Sequence, residues 1–141
     1  MIKAEDLHDM GYVDDQLDMF EYWQPQGEEP TYQQLVQKFI DTSGQTPTPE
    51  LYLRLIKEEF EELLEAEPGT TDELKELADL LYVAFGYAIA MKYDLDKAFK
   101  LVHENNYGRM FQPDGTIKRR EDGKIVKNKD YPKVNLTDCI N

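Results

Sequence analysis

From Tyr32 to Tyr107 the apolar residues recur at three- and four-residue intervals, the spacing of helices that bury one face. Thr31 is a suitable N-cap for "YQQLVQKFI", in which Tyr32, Leu35, Val36 and Phe39 form an apolar stripe, and "DTSGQTPTP" ends that helix. A second helix is expected from Glu50 to about Glu67, closed by "PGTT", which also supplies the N-cap of a third. The third, Asp72 to about Tyr93, is the longest, and its "LLYVAFGYAIAM" half is apolar nearly all round, the pattern of a central helix. "YDLDKAFKLVHENNY" reads as a fourth, with Asp94 or Asp96 at its start and Ala98, Leu101 and Val102 inward. Upstream, "DDQLDMFEYW" sets Leu17, Phe20 and Trp23 on one side of a short helix that "QPQGEEP" breaks. Beyond Gly108, "GTIKRREDGKIVK" places β-branched residues around a "DG" turn, which predicts a small hairpin. The expected fold is all-α: a four-to-five-helix bundle with a short C-terminal hairpin or extended tail. It forms a single domain, with an N-terminal extension at 1–30, a helical core at 31–107 and a basic tail at 108–141.

Composition adds a charge asymmetry. The chain of 141 residues carries a net charge of −13, which argues against direct nucleic-acid binding through a basic surface. Residues 1–106 hold 8 Lys/Arg against 24 Asp/Glu, whereas residues 107–134 hold 8 against 4. An acidic body suits a cation and a basic tail suits an anion. Cys139 is the single cysteine, so no internal disulfide framework is expected. No apolar run is long enough to span a membrane, and "MIKAEDLHDM" lacks the basic-then-apolar pattern of a secretory signal. A cytoplasmic protein is expected.

The acidic residues of "RLIKEEFEELLEA" are not equivalent. With about 100° per residue and Glu59 at zero, Tyr52, Leu55, Ile56, Leu63 and Ala66 fall within roughly 60° of it. Glu59 therefore lies in the middle of the apolar face, Glu62 borders it, Glu58 is further out, and Glu61 and Glu65 point to solvent. On the next helix, Glu76, Val83 and Gly86 share the side of Asp79. A lone inward glutamate more often snorkels or pairs with Lys or Arg. Two antiparallel helices joined by a short turn, however, bring Glu59, Glu62, Glu76 and Asp79 together. Four clustered carboxylates repel one another unless a cation neutralises them, and an all-oxygen set suits Mg²⁺ or Mn²⁺ better than zinc. A ferritin-like di-iron centre needs Glu-x-x-His pairs, and neither His8 nor His103 completes one.

With those residues placed, the chain resembles the MazG-like all-α nucleoside triphosphate pyrophosphohydrolases, the group that includes phosphoribosyl-ATP pyrophosphohydrolase. Its signature, E-x-x-E on one helix and E-x-x-D on the next, is matched by Glu59–Glu62 in "EEFEEL" and Glu76–Asp79 in "ELADLLY". The similarity runs from about Val36 to "DYPKVNL", and "LVHENNYGRM" is similar to the family's later helix. The first thirty residues have no matching counterpart. The family often shows Ser or Lys where this chain has Asn105 and Arg109.

The resemblance implies Mg²⁺-dependent hydrolysis of a (d)NTP to monophosphate and pyrophosphate, with Mn²⁺ a substitute, to control or cleanse the nucleotide pool. It implies Glu59, Glu62, Glu76 and Asp79 as metal ligands, with Glu59 and Glu62 the candidates for activating water. Asn106, Arg109, Lys124 and Lys127 become candidate phosphate contacts, against the plainer readings of a helix cap and a solvated tail. Trp23 and Phe39 are candidate base contacts, whereas Tyr82, Tyr87 and His103 read as structural. A homodimer or homotetramer is implied, and a single-domain acidic form suits a phage-encoded enzyme acting in its host's cytoplasm. Two alternatives stand beside this: phosphoribosyl-ATP hydrolysis, and a non-catalytic nucleotide-binding or helical interaction module.

Overall fold

Each α-helix among the described residues starts on a side-chain cap. In the computed structural model, which describes residues 29–140, helix α1 spans Tyr32–Ser43. The Thr31 hydroxyl accepts from Gln34 N–H (3.2 Å) while Gln34 Oε1 accepts from Thr31 N–H (2.8 Å), a reciprocal capping box. Val36 and Ile40 are its buried residues, whereas Tyr32 and Phe39 of the expected stripe are exposed. The buried line thus follows the (i, i+4) pair and not the first turn. The described residues divide into two compact units between Gln45 and Thr46, with α1 in the first.

In the second unit, α2 spans Pro49–Glu65, with Thr48 accepting from Leu51 N–H and a proline in the first turn. Helix α3 spans Thr71–Ala90, with Thr70 accepting from Glu73 N–H and Glu73 Oε1 accepting from Gly69 N–H. It ends earlier than Tyr93 because the chain turns through Lys92 at φ 60°, freeing Asp94 to cap α4 at Leu95–Gly108. Asp94 accepts from Lys97 N–H, so it and not Asp96 is the cap.

Helices α2 and α3 form the main helical packing of this unit, and α4 packs on a short 3₁₀ helix at Thr137–Cys139. The α2–α3 contact is unusually close at one point. A Cβ on Gly86 would overlap Tyr52 Cε1, so the buried Tyr52 ring lies directly on the α3 backbone. The apolar half of α3 buries only Val83, Phe85, Gly86 and Ala88; Leu77, Leu81 and Tyr82 are exposed, so this helix is covered on part of its circumference only.

The expected hairpin is reduced to two tight turns with isolated antiparallel bridges, Phe111–Ile117 and Arg119–Ile125. Around the "DG" turn, Arg120 N–H donates to Lys124 O and Val126 N–H to Lys118 O. The tail is tied back to α4: Tyr131 lies against Gly108, Asn105 Nδ2 donates to Pro132 O (2.9 Å), and Asn128 N–H donates to Arg109 O (2.7 Å). Asp94 N–H donates to Cys139 O, and Cys139 is buried. Among the described residues, no helix is long and apolar enough to cross a membrane.

Gly86→Ala should destabilise the protein by about 1–3 kcal/mol, because the new methyl overlaps a buried ring. Urea unfolding monitored by circular dichroism checks this, and an unchanged midpoint would show that Tyr52 can move aside.

Candidate active site

The Tyr52–Gly86 contact sets the register of the two antiparallel helices. Two turns on from Tyr52 along α2 comes Glu59, and two turns back from Gly86 along α3 comes Asp79. One further turn gives Glu62 and Glu76, so the acidic residues of one helix are brought level with those of the other.

The structure gathers three of the four predicted carboxylates. Glu59, Glu62 and Glu76 each offer an oxygen within 4.8 Å of the other two. Glu59 and Glu76 are half-buried, and the Oε2 atom of each is buried with no hydrogen-bond partner. Glu62 is exposed and stands at the rim. The solvent-facing assignment of Glu61 and Glu65 agrees with their exposure, and Glu58, placed between the two faces, is exposed as well. Two orphaned acidic oxygens beside a third carboxylate form a hard-donor set that can hold a divalent cation of the Mg²⁺ or Mn²⁺ type.

Electrostatics reflect the crowding. Burial first, then the charges of Glu62, Asp79 and Glu76 and a hydrogen bond to Glu62, push the Glu59 carboxyl up from 4.5 to about 7. Glu62 is also raised, chiefly by its hydrogen bond with Glu76. The metal-free cluster thus holds itself together in part by sharing protons.

Asp79 stands apart from the trio. Its Oδ2 lies 2.8 Å from Lys75 Nζ, which is also 3.7 Å from Glu76 Oε1. Sequence reasoning passed over Lys75, although its place four residues before Asp79 is the spacing of a helical ion pair.

The predicted phosphate contacts fall around the end of α4 and on the tail. Asn106 lies within the last turn and does not cap the helix; Arg109 holds the cap position. Arg109 Nη2 donates to Asn106 Oδ1 (3.2 Å), while Arg109 Nε is buried with no partner. Lys127 is exposed and adjoins Asn128, which is bonded to the Arg109 carbonyl; Lys124 is exposed beside the Asp122–Gly123 turn. Asn105 was missed as a tail anchor: its Nδ2 bonds Pro132 O while its Oδ1 is buried without a partner. Of the predicted base contacts, Phe39 lies on α1 in the first unit, and Trp23 lies outside the described residues.

Comparison with known proteins places the chain beside both a sequence family and solved structures. The family model for phosphoribosyl-ATP pyrophosphohydrolase matches residues 31–106, a span that takes in both acidic motifs. Among solved structures, the cyanophage S-2L MazG-like pyrophosphohydrolase, described as bound to dGDP and three catalytic Mn²⁺ ions per active site, aligns with a TM-score of 0.48. The alignment has 19% identity and covers 71% of this chain and 91% of that one. No curated protein sequence matches.

Without divalent cations the raised Glu59 carboxyl gives a signed pH dependence. Folding takes up a proton at Glu59 between pH 4.5 and about 7, so its contribution to stability is fully present below that window and lost as pH rises through it. The thermal midpoint of the metal-free protein, relative to that of Glu59→Gln, should fall across this range. A relative midpoint that rises would contradict the assignment.

Proposed function

The chain belongs to the phosphoribosyl-ATP pyrophosphohydrolase family, and from that premise we propose that it hydrolyses a nucleoside triphosphate, ribo or deoxy, to monophosphate and pyrophosphate. The observation that carries this reading is the pair of buried, partnerless oxygens, Glu59 Oε2 and Glu76 Oε2, within a three-carboxylate cluster. Glu59 and Glu76, with Glu62 and Asp79 beside them, would hold Mg²⁺, or Mn²⁺ in its place. The bound cation would supply charge neutralisation at the phosphate oxygens. Glu62, at the exposed rim, orients a water and takes its proton as the water oxygen attacks the α-phosphorus and the bond to the bridging oxygen of pyrophosphate breaks. Arg109, positioned with Asn106, and the tail lysines Lys124 and Lys127 receive the departing pyrophosphate. The span of the family match supports the reading of 31–107 as a catalytic core within one domain.

A second reading differs only in substrate. The description of the matching family model favours phosphoribosyl-ATP, whose scissile anhydride is the same and whose base and extra ribose differ. In either case the enzyme works in the cytoplasm, where nucleotides are made and used, or in a host's cytoplasm if a phage encodes it.

The working unit is a homodimer or homotetramer. Support comes from apolar side chains left exposed on both site helices, among them Leu53, Phe60 and Leu64 on α2 and Leu74, Leu77 and Leu81 on α3. Sedimentation equilibrium should give a multiple of the 16.5 kDa chain mass, shifting toward the monomer in Leu77→Glu. A wild-type monomer at micromolar concentration would contradict this.

A panel of NTPs, dNTPs and phosphoribosyl-ATP with Mg²⁺, scored for pyrophosphate and monophosphate, tests the activity. Turnover of at least one member is expected, reduced roughly a hundredfold or more in Glu59→Gln. No turnover on any member, or full turnover in the variant, would overturn the proposal; phosphate as the product would indicate another reaction.

A further inference from the structure

We propose that Lys75 is an internal counter-ion that competes with the divalent cation for Asp79 and so weakens binding of free metal. This rests on the reading of the carboxylate cluster as a metal site. The ammonium lies 2.8 Å from Asp79 Oδ2 and 3.7 Å from Glu76 Oε1, bridging both acidic residues of E-x-x-D. An exposed (i, i+4) ion pair on a helix is ordinarily a small stabilising contact and nothing more. Two features separate this one. Its second carboxylate, Glu76, belongs to the trio and carries one of the orphaned oxygens. Its first, Asp79, is the one motif carboxylate outside the trio, and its Oδ2 is the oxygen held by Lys75.

The consequence is a site with two electrostatic states. With Lys75 engaged, three carboxylates face the cation position and one is neutralised. When a cation recruits Asp79, the lysine must leave, and its side chain, 67% exposed, has open solvent to move into. Free metal must therefore displace a positive charge, whereas metal arriving with polyphosphate brings anionic oxygens to which the released ammonium can turn. A lysine at this position makes the site prefer metal that arrives with substrate over metal alone.

The test is Mn²⁺ binding without nucleotide, followed by electron paramagnetic resonance of free Mn²⁺ on full-length protein. Lys75→Met keeps the aliphatic stem and removes the charge, and should tighten Mn²⁺ binding on the order of tenfold at low salt, less at high salt. Lys75→Arg should stay near wild type. In an Asp79→Asn background, Lys75→Met should bring no gain, because the carboxylate being competed for is gone. Equal or weaker Mn²⁺ binding by Lys75→Met would overturn the proposal and leave the metal site standing. A gain that persists in Asp79→Asn would also overturn it, since Lys75 would then act by general field alone. No Mn²⁺ binding by any of the proteins would overturn the metal site itself. Melting curves of each variant separate these outcomes from a loss of folding.

Discussion

Everything at the proposed site depends on one close approach, the Tyr52 ring against the α3 backbone at Gly86. Helices side by side can slide, and a slide of one turn, about 5.4 Å, would take Glu62 past Glu76. A buried ring resting where no side chain fits removes that freedom, because any shift meets a side chain in place of the gap. The capped ends of α2 and α3 at Thr48 and Thr70 set where each helix begins, and the aromatic contact sets how they align.

That alignment creates an electrostatic problem which the protein relieves in more than one way. Bringing Glu59, Glu62 and Glu76 within 4.8 Å of one another costs free energy while all are charged. Proton sharing relieves part of it, as the raised Glu59 and Glu62 carboxyls indicate. Lys75 relieves another part by drawing Asp79 aside. A cation would relieve the remainder, and the two oxygens left without partners are where that need is greatest. An isolated buried pair of acids would be a defect; three converging acids on a fixed register have the donor set that the proposed cation site requires.

The helices were legible because their signals are local. Thr31 and Asp94 cap by direct reach to nearby backbone N–H groups, and a 3.6-residue period is visible in any window of the chain. The inward place of Glu59 followed from the same period. What escaped depended on contacts distant in sequence or on competition between neighbours. The tail reads as a hairpin from its β-branched residues, yet Tyr131, Asn105 and Asn128 tie it to the end of α4, and it forms tight turns in place of a ladder. All-round apolarity placed α3 at the centre, while Leu74, Leu77 and Leu81 are exposed in the single chain. Lys75 was passed over because the angular placement weighed only the acids, although its spacing from Asp79 is that of a helical ion pair.

The proposed divalent-cation site is built by α2 and α3 together. Crystals grown with Mn²⁺ and measured at the manganese absorption edge test it most directly. An anomalous peak is expected in contact with the Glu59, Glu62 and Glu76 carboxylates. A peak confined to other surfaces, or none at millimolar Mn²⁺, would contradict it.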